Sequence, residues 1–320
     1  MHDSDTPPIQ ELLQQLRATF AEEGQRVEDY VEALQYQRYI TYWDYLNLDA
    51  LLSLQVPRSN QPDEMVFIIY HQITELYFKL VRQELDQITQ SEPLTALDFP
   101  EKLRRIITYF ELLEQSFGVM THGMEAEQFL KLRKALMPAS GFQSAQYRLI
   151  ELGCTDVIQL VEPDYRASMR DRSLEEQLQH IYWKRGATDA QTGAKTLTLR
   201  QFESKYADLF QRYARQQQDV NVRRRYPQWL AHHPEQEQPV HQQLKELDLL
   251  VNVRWPRAHL GAASRYLGGA NRQKATGGTN WPQYLPPQRQ HRIFFPELWT
   301  DRQQERWGLF TRPEDDAPAP

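Results

Sequence analysis

The chain has 320 residues, 40 % of them hydrophobic and 25 % charged, with a net charge of −6. That supplies apolar material for a full core, which excludes disorder throughout, and the acidic balance argues against a general nucleic-acid binder. One cysteine, Cys154, rules out an intrachain disulfide and a cysteine-based metal cluster, and it fits a reducing, cytoplasmic setting.

The N-terminus, Met1 to Pro8, is polar and acidic, unlike a secretory leader, and no stretch reaches the roughly 18 apolar residues of a membrane span. Pro7-Pro8 opens an amphipathic helix through about Glu23, and a second carries Val27, Tyr30, Val31 and Leu34. The spacing of Tyr45, Leu48, Leu51, Leu52 and Gln55 predicts one helix from Tyr42 to Gln55, stopped by Pro57. Pro62 and Asp63-Glu64 start the longest early helix, expected to about Ile88. After a loop from Ser91 to Pro100, a helix bearing Ile106, Ile107, Phe110, Leu112 and Leu113 and another from Glu125 to Leu136 are separated by Gly123.

Pro138 to Gly141 reads as a turn before an apolar-dotted segment from Phe142 to Leu152. Residues 162–238 are rich in Gln, Arg and Glu, which predicts peripheral helices broken near Gly186, Gly193 and Pro227. The run Arg223-Arg224-Arg225 within them reads as a solvated face or subunit contact in preference to a phosphate site. Pro239 begins a long helix whose stripe includes Leu244, Leu247, Leu250, Val251, Trp255, His259, Ala262, Ala263 and Tyr266; Pro256 predicts a kink and Gly268-Gly269 the end. The Gly/Pro-rich stretch from Ala270 to Pro296 reads as functional loop. The expected architecture is all-α: a single helical domain over 1–312 with a disordered tail over 313–320.

Chemistry concentrates on a few side chains. His71 sits in an apolar helical run one turn after Phe67, so the two share a face. A buried imidazole there needs a partner: it is either a core histidine bonded to a carbonyl or carboxylate, or, with Phe67, one wall of a site for a flat ligand. His259 lies between Trp255 and the small pair Ala262-Ala263, and two such histidines on separate helices are compatible with a bracketed haem or with ordinary core packing. Phe129 and Arg133 repeat the i,i+4 spacing, which suits either capture of a carboxylate or a surface ion pair. Thr276-Gly277-Gly278-Thr279 lacks the lysine of a nucleotide loop and reads equally well as a glycine hinge. None of the nine histidines has a glutamate three residues before it, which excludes the helical di-iron pattern, and zinc and Ser-His-Asp motifs are missing too.

Taken together, several blocks resemble the tryptophan 2,3-dioxygenase family: Tyr42 to Leu46 with Leu51 to Gln55, Asp63 to Gln72 with Glu75-Leu76, Phe129 to Arg133, Pro138 to Arg148, Trp255 to His259, Thr276 to Thr279, and Phe294 to Leu298. The resemblance implies a haem b enzyme that inserts both atoms of O2 across the indole C2–C3 bond of L-tryptophan, giving N-formyl-L-kynurenine at the first step of the kynurenine pathway. It implies His259 as the iron ligand, His71 facing the indole N–H, Phe67 on the ring, Phe129 lining the pocket and Arg133 on the substrate carboxylate. It further implies Ser140 near the haem edge, Thr276 over the amino-acid end, and Tyr42, Tyr45 and Leu46 reaching into a neighbouring subunit of a homotetramer. A related group of haem-dependent aromatic hydroxylases and a non-catalytic haem-binding helical protein are the competing readings.

Overall fold

The computed structural model describes residues 8–36, 40–136, 141–189, 192–267 and 285–313. These form helices joined by turns; no strand occurs among them, only isolated bridges at Val161/Ile181 and Thr188/Lys195. No described helix is long and apolar enough to cross a membrane. The chain divides into two compact units, Met1–Val56 and Pro57–Pro320; the expectation of one domain over 1–312 drew no boundary at this point. The tail beyond Pro313 lies outside the described residues.

The first unit holds α1 (Ile9–Glu22), α2 (Val27–Tyr36), α3 (Tyr42–Leu46) and α4 (Leu48–Leu52). The single helix expected from Tyr42 to Gln55 is therefore two. Asn47 adopts a left-handed conformation, φ +51°, which ends α3 because only Gly, Asn and Asp enter that region at low cost.

In the second unit α5 (Asp63–Gln90) packs against α6 (Phe99–His122) and α8 (Ala145–Cys154), and α6 packs in turn against α14 (Glu237–Leu249) and α15 (Trp255–Leu267). The α6 helix starts earlier than expected because Asp98 caps it, accepting from Glu101 N at 3.1 Å, and Pro100 tolerates the first turn. Gly123 ends it: a Cβ there would lie 2.5 Å from the Val119 carbonyl oxygen. The start of α7 (Ala126–Leu136) is pinned to the start of α5, since Asp63 accepts from Glu125 N at 2.7 Å and donates its own N–H to Gln128 Oε1 at 3.1 Å. This pairing fixes the faces of α5 and α7 that carry Phe67, His71 and Phe129.

The middle region departs most from expectation. Between α8 and α14 come α9 (Val157–Leu160), α10 (Pro163–Met169), α11 (Leu174–Gln179), α12 (Leu197–Gln217) and α13 (Val222–Leu230). α10 buries no residue, but α12 and α13 are not peripheral: Leu199, Phe202, Val222, Tyr226 and Trp229 are buried in the main core. Each contributes a narrow apolar stripe, which the surrounding Gln and Arg residues outnumber in composition. Pro227 does not break α13 but sits inside it. The basic run is also partly internal: Arg223 and Arg224 bind Asp156, while buried Arg225 donates to the Thr89 carbonyl at 2.9 Å and to Glu92 at 3.0 Å.

The last long helix begins at Glu237, ahead of Pro239, and a π-helical turn over Leu250–Arg254 joins α14 to α15. Pro256 cannot donate to a carbonyl one turn back, and the widened turn just before it accommodates the ring without ending the helix. Arg254 holds this turn through Glu114 at 2.6 Å and through Glu246. Where the helix terminates, Gly268-Gly269 fall outside the described residues.

Candidate active site

Helices α5, α6, α7, α8 and α15 surround a cavity of about 530 Å³. Phe67, Tyr70 and His71 enter it from α5, Phe117 and Met120 from α6, Phe129 from α7, and Trp255, His259, Ala262 and Ala263 from α15. Such a volume and a mainly apolar wall suit a small molecule or cofactor, for which sites span roughly 300–1,000 Å³.

The two histidines found in the sequence both face this space. His71 Nδ1 lies 2.7 Å from the Phe67 carbonyl oxygen. A carbonyl only accepts, so Nδ1 carries the proton and a neutral ring keeps its Nε2 lone pair as an acceptor. The exposed surface of His71 faces the cavity, yet the protein around it lowers its pKa through desolvation, against weaker opposing effects of the Phe67 carbonyl and Glu75. Its ring lies 4.0 Å from that of Phe67, and Phe67 lies 6.4 Å from Phe129, so one aromatic wall runs from α5 to α7.

His259 is half-buried, and desolvation, with a smaller contribution from the nearby His71, pushes its pKa down to about 4. Its ring stacks on Phe117 at 5.9 Å, and the backbone at Gly141 comes so close that a Cβ there would touch His259 Cε1 at 3.6 Å. Among the described residues no group hydrogen-bonds either ring nitrogen. A neutral imidazole with a free nitrogen in an apolar cavity has the chemistry of an iron ligand, and no cluster of three metal-ligating side chains occurs among the described residues.

Part of the lining is polar. Glu151 binds Arg292 and, at 2.9 Å, Arg148; Tyr182 donates to Glu151 at 2.6 Å and accepts from Arg148 at 2.7 Å. Arg148 and Arg292 both line the cavity, and the indole N–H groups of Trp183 and Trp255, which line it too, have no acceptor. A surplus of donors beside an apolar space fits a flat cofactor that carries carboxylates, so these residues fit a haem. The Arg148/Glu151 pair is visible in the sequence as an i,i+3 spacing, but Arg292 joins it from 141 residues away, which no local pattern reveals.

The remaining expected residues are less completely placed. Arg133 is buried one turn beyond Phe129, with its pKa lowered by desolvation, but it is not among the side chains lining the cavity. Ser140 and Thr276 lie outside the described residues. Tyr42, Tyr45 and Leu46 belong to the first unit, where they are 69 %, 71 % and 40 % exposed.

Over residues 28–239 the chain matches the family described as "Tryptophan 2,3-dioxygenase". A protein named Tryptophan 2,3-dioxygenase from Ruegeria pomeroyi is 30 % identical over 277 residues, covering 83 % of this chain and 93 % of that protein. One of the same name from Geobacillus thermodenitrificans is 31 % identical over 275 residues, with the same coverage of 83 % and 93 %. A Ralstonia nicotianae protein named Tryptophan 2,3-dioxygenase 2 is 43 % identical over a shorter span of 125 residues, 35 % of this chain and 33 % of that protein.

Proposed function

The chain belongs to the tryptophan 2,3-dioxygenase family, and from that premise we propose that it cleaves the indole C2–C3 bond of L-tryptophan with O2, giving N-formyl-L-kynurenine, with haem b as cofactor. The observation that carries this reading is the meeting of His71 and His259 on one apolar cavity from α5 and α15. His259 is the residue to hold the iron, and the haem, when bound, supplies the activation of O2 that no side chain can provide. The arginine-bearing wall is suited to its carboxylates, with Ser140 at its edge.

The protein's own part is positioning. His71 Nε2 accepts the indole N–H, a role supported by the Nδ1 contact with Phe67 that fixes the tautomer. Phe67 and Phe129 pack on the indole, and Arg133, one turn along α7, binds the carboxylate. Thr276 closes over the amino-acid end. Fixing both ends of the substrate lowers the entropic part of the barrier, and the apolar wall keeps water from the reacting edge. Tyr42, Tyr45 and Leu46 complete the pocket of a neighbouring subunit in a homotetramer, a reading supported by their exposure. The single buried cysteine is in keeping with a cytoplasmic setting.

The test is to give anaerobically reduced, haem-loaded protein L-tryptophan and then O2. The near-ultraviolet absorbance of N-formylkynurenine is expected; haem bound without that product, or a hydroxylated product, overturns the assignment. Arg133→Ala keeps the haem spectrum but weakens tryptophan binding, and unchanged affinity refutes its carboxylate role.

A further inference from the structure

The π-helical turn over Leu250–Arg254 stands directly before the helix that carries His259. Its five residues make a single widened turn, in which one residue is inserted into an otherwise α-helical path. Each residue of an α-helix turns the chain by about 100°, so the insertion rotates everything beyond it by about that angle. Were α14 to run into α15 as plain α-helix, His259 would stand about 100° around the axis from the cavity it now lines.

This rare geometry leaves a backbone group to be satisfied. Trp255 donates its N–H to the Leu250 carbonyl, five residues back, and so withdraws it from the Val251 carbonyl. Five residues on from Val251 is Pro256, which has no N–H to give. Val251 is fully buried, where an orphaned carbonyl would be costly. The Tyr147 hydroxyl on α8 meets the need, donating to that carbonyl at 3.3 Å, while Arg292 Nη1 donates to the same hydroxyl at 3.1 Å. The Tyr147 ring also stacks on Trp255, with centroids 5.1 Å apart, and Trp255 lies one turn before His259. Arg254 braces the end of the turn through Glu114 of α6 and Glu246 of α14.

We propose, on the reading of His259 as the iron ligand, that Tyr147 is a positioning residue for it, with Arg254 as a second brace: the Tyr147 hydroxyl holds open the π-turn that aims the imidazole into the cavity. Without that hydroxyl, the Val251 carbonyl finds its donor by taking back the Trp255 N–H, in the α-helical register that turns His259 away. Part of the protein then holds a histidine that cannot reach the iron, and haem affinity falls in proportion to the competent fraction. Tyr147 also lines the cavity, so an effect passing through His259 has to be separated from direct contact with the porphyrin.

The test titrates haem and metal-free protoporphyrin IX, which has the same ring and carboxylates but no iron, into the full apo chain. Tyr147→Phe keeps the ring and removes only the hydroxyl. It is expected to weaken haem binding about tenfold, since one buried hydrogen bond is worth about that factor, and to leave porphyrin binding within about twofold. The ferrous visible spectrum of the bound haem shows a matching loss of axial imidazole. Arg254→Met gives the same selective loss and carries the test if circular dichroism shows Tyr147→Phe unfolded. Equal losses for both ligands, or unchanged haem affinity in the folded variant, overturns the positioning role and leaves the ligand reading standing. His259→Ala with wild-type haem affinity and spectrum overturns that reading, and the positioning role with it.

Discussion

Glu151 sits between two buried guanidinium groups, and replacing it by glutamine exposes what that arrangement is worth. Arg148 is 7 % exposed, Arg292 2 % and Glu151 0 %. At the 2.9 Å separation of Arg148 and Glu151, with an effective dielectric of about 20, one pair attracts by about 6 kcal/mol before desolvation is charged against it. Burial by itself would lower the Arg292 pKa, but Tyr147, Tyr182 and Glu151 outweigh it and raise it, so both arginines stay charged. Glu151→Gln keeps the shape and an acceptor for Tyr182 but leaves two adjacent buried cations with no counter-ion. Losing one partner of a buried pair costs about 3–5 kcal/mol, so a loss of about 4 kcal/mol is expected, or on the order of 10 °C in Tm. The assay is thermal and urea unfolding of the wild type, Glu151→Gln, Arg292→Met and the double variant. Removing Arg292 relieves the repulsion in the Glu151→Gln background, so the double variant is more stable than the sum of the singles by about 2 kcal/mol or more. A Glu151→Gln loss below about 1 kcal/mol, or additivity within about 0.5 kcal/mol, refutes the shared-counter-ion account.

Three further outcomes follow from individual groups. The lowered pKa of His71 keeps it a neutral acceptor at pH 7, so kcat/KM for tryptophan falls only on acidification below its ordinary value of 6.5; an acid limb at or above 6.5, or one unchanged in His71→Ser, contradicts its role. Burial pushes the Asp248 carboxyl from 3.8 up to about 6 despite donation from Phe294 N, Phe295 N, Trp299 Nε1 and Asn252 Nδ2. A raised folded value means the folded state binds the proton more tightly, so this contribution, about 3 kcal/mol, is full below pH 4 and is lost as pH rises through 6. Asp248→Asn removes that slope from the stability profile, and an identical slope in the variant rejects the shift. Gly308 has φ +78°, and a Cβ there would lie 2.8 Å from Gln288 N, so Gly308→Ala destabilises by about 2 kcal/mol or more in urea unfolding; a neutral effect shows that the turn relaxes freely.

Much of this protein is legible locally. Helical periodicity places α1, α2, α5, α7 and the stripe of α14 and α15, because a 3.6-residue repeat is a property of consecutive residues. The i,i+4 pair of Phe67 and His71 is readable for the same reason, and the carbonyl that satisfies His71 is that of Phe67 itself. Composition misleads where a buried stripe is narrow, as in α12 and α13, whose many Gln and Arg residues hide Phe202, Phe210 and Trp229 in the core. It also hides the fate of the arginine run, since whether Arg225 is solvated depends on the Thr89 carbonyl far away in the chain. Tertiary structure alone brings His71 and His259 to one cavity and seats Arg292 beside Glu151. Local sequence sets which face each helix buries; which faces then meet is decided by the packing of α5, α6, α8 and α15, where long-range contacts must close together to repay the entropy of ordering the chain.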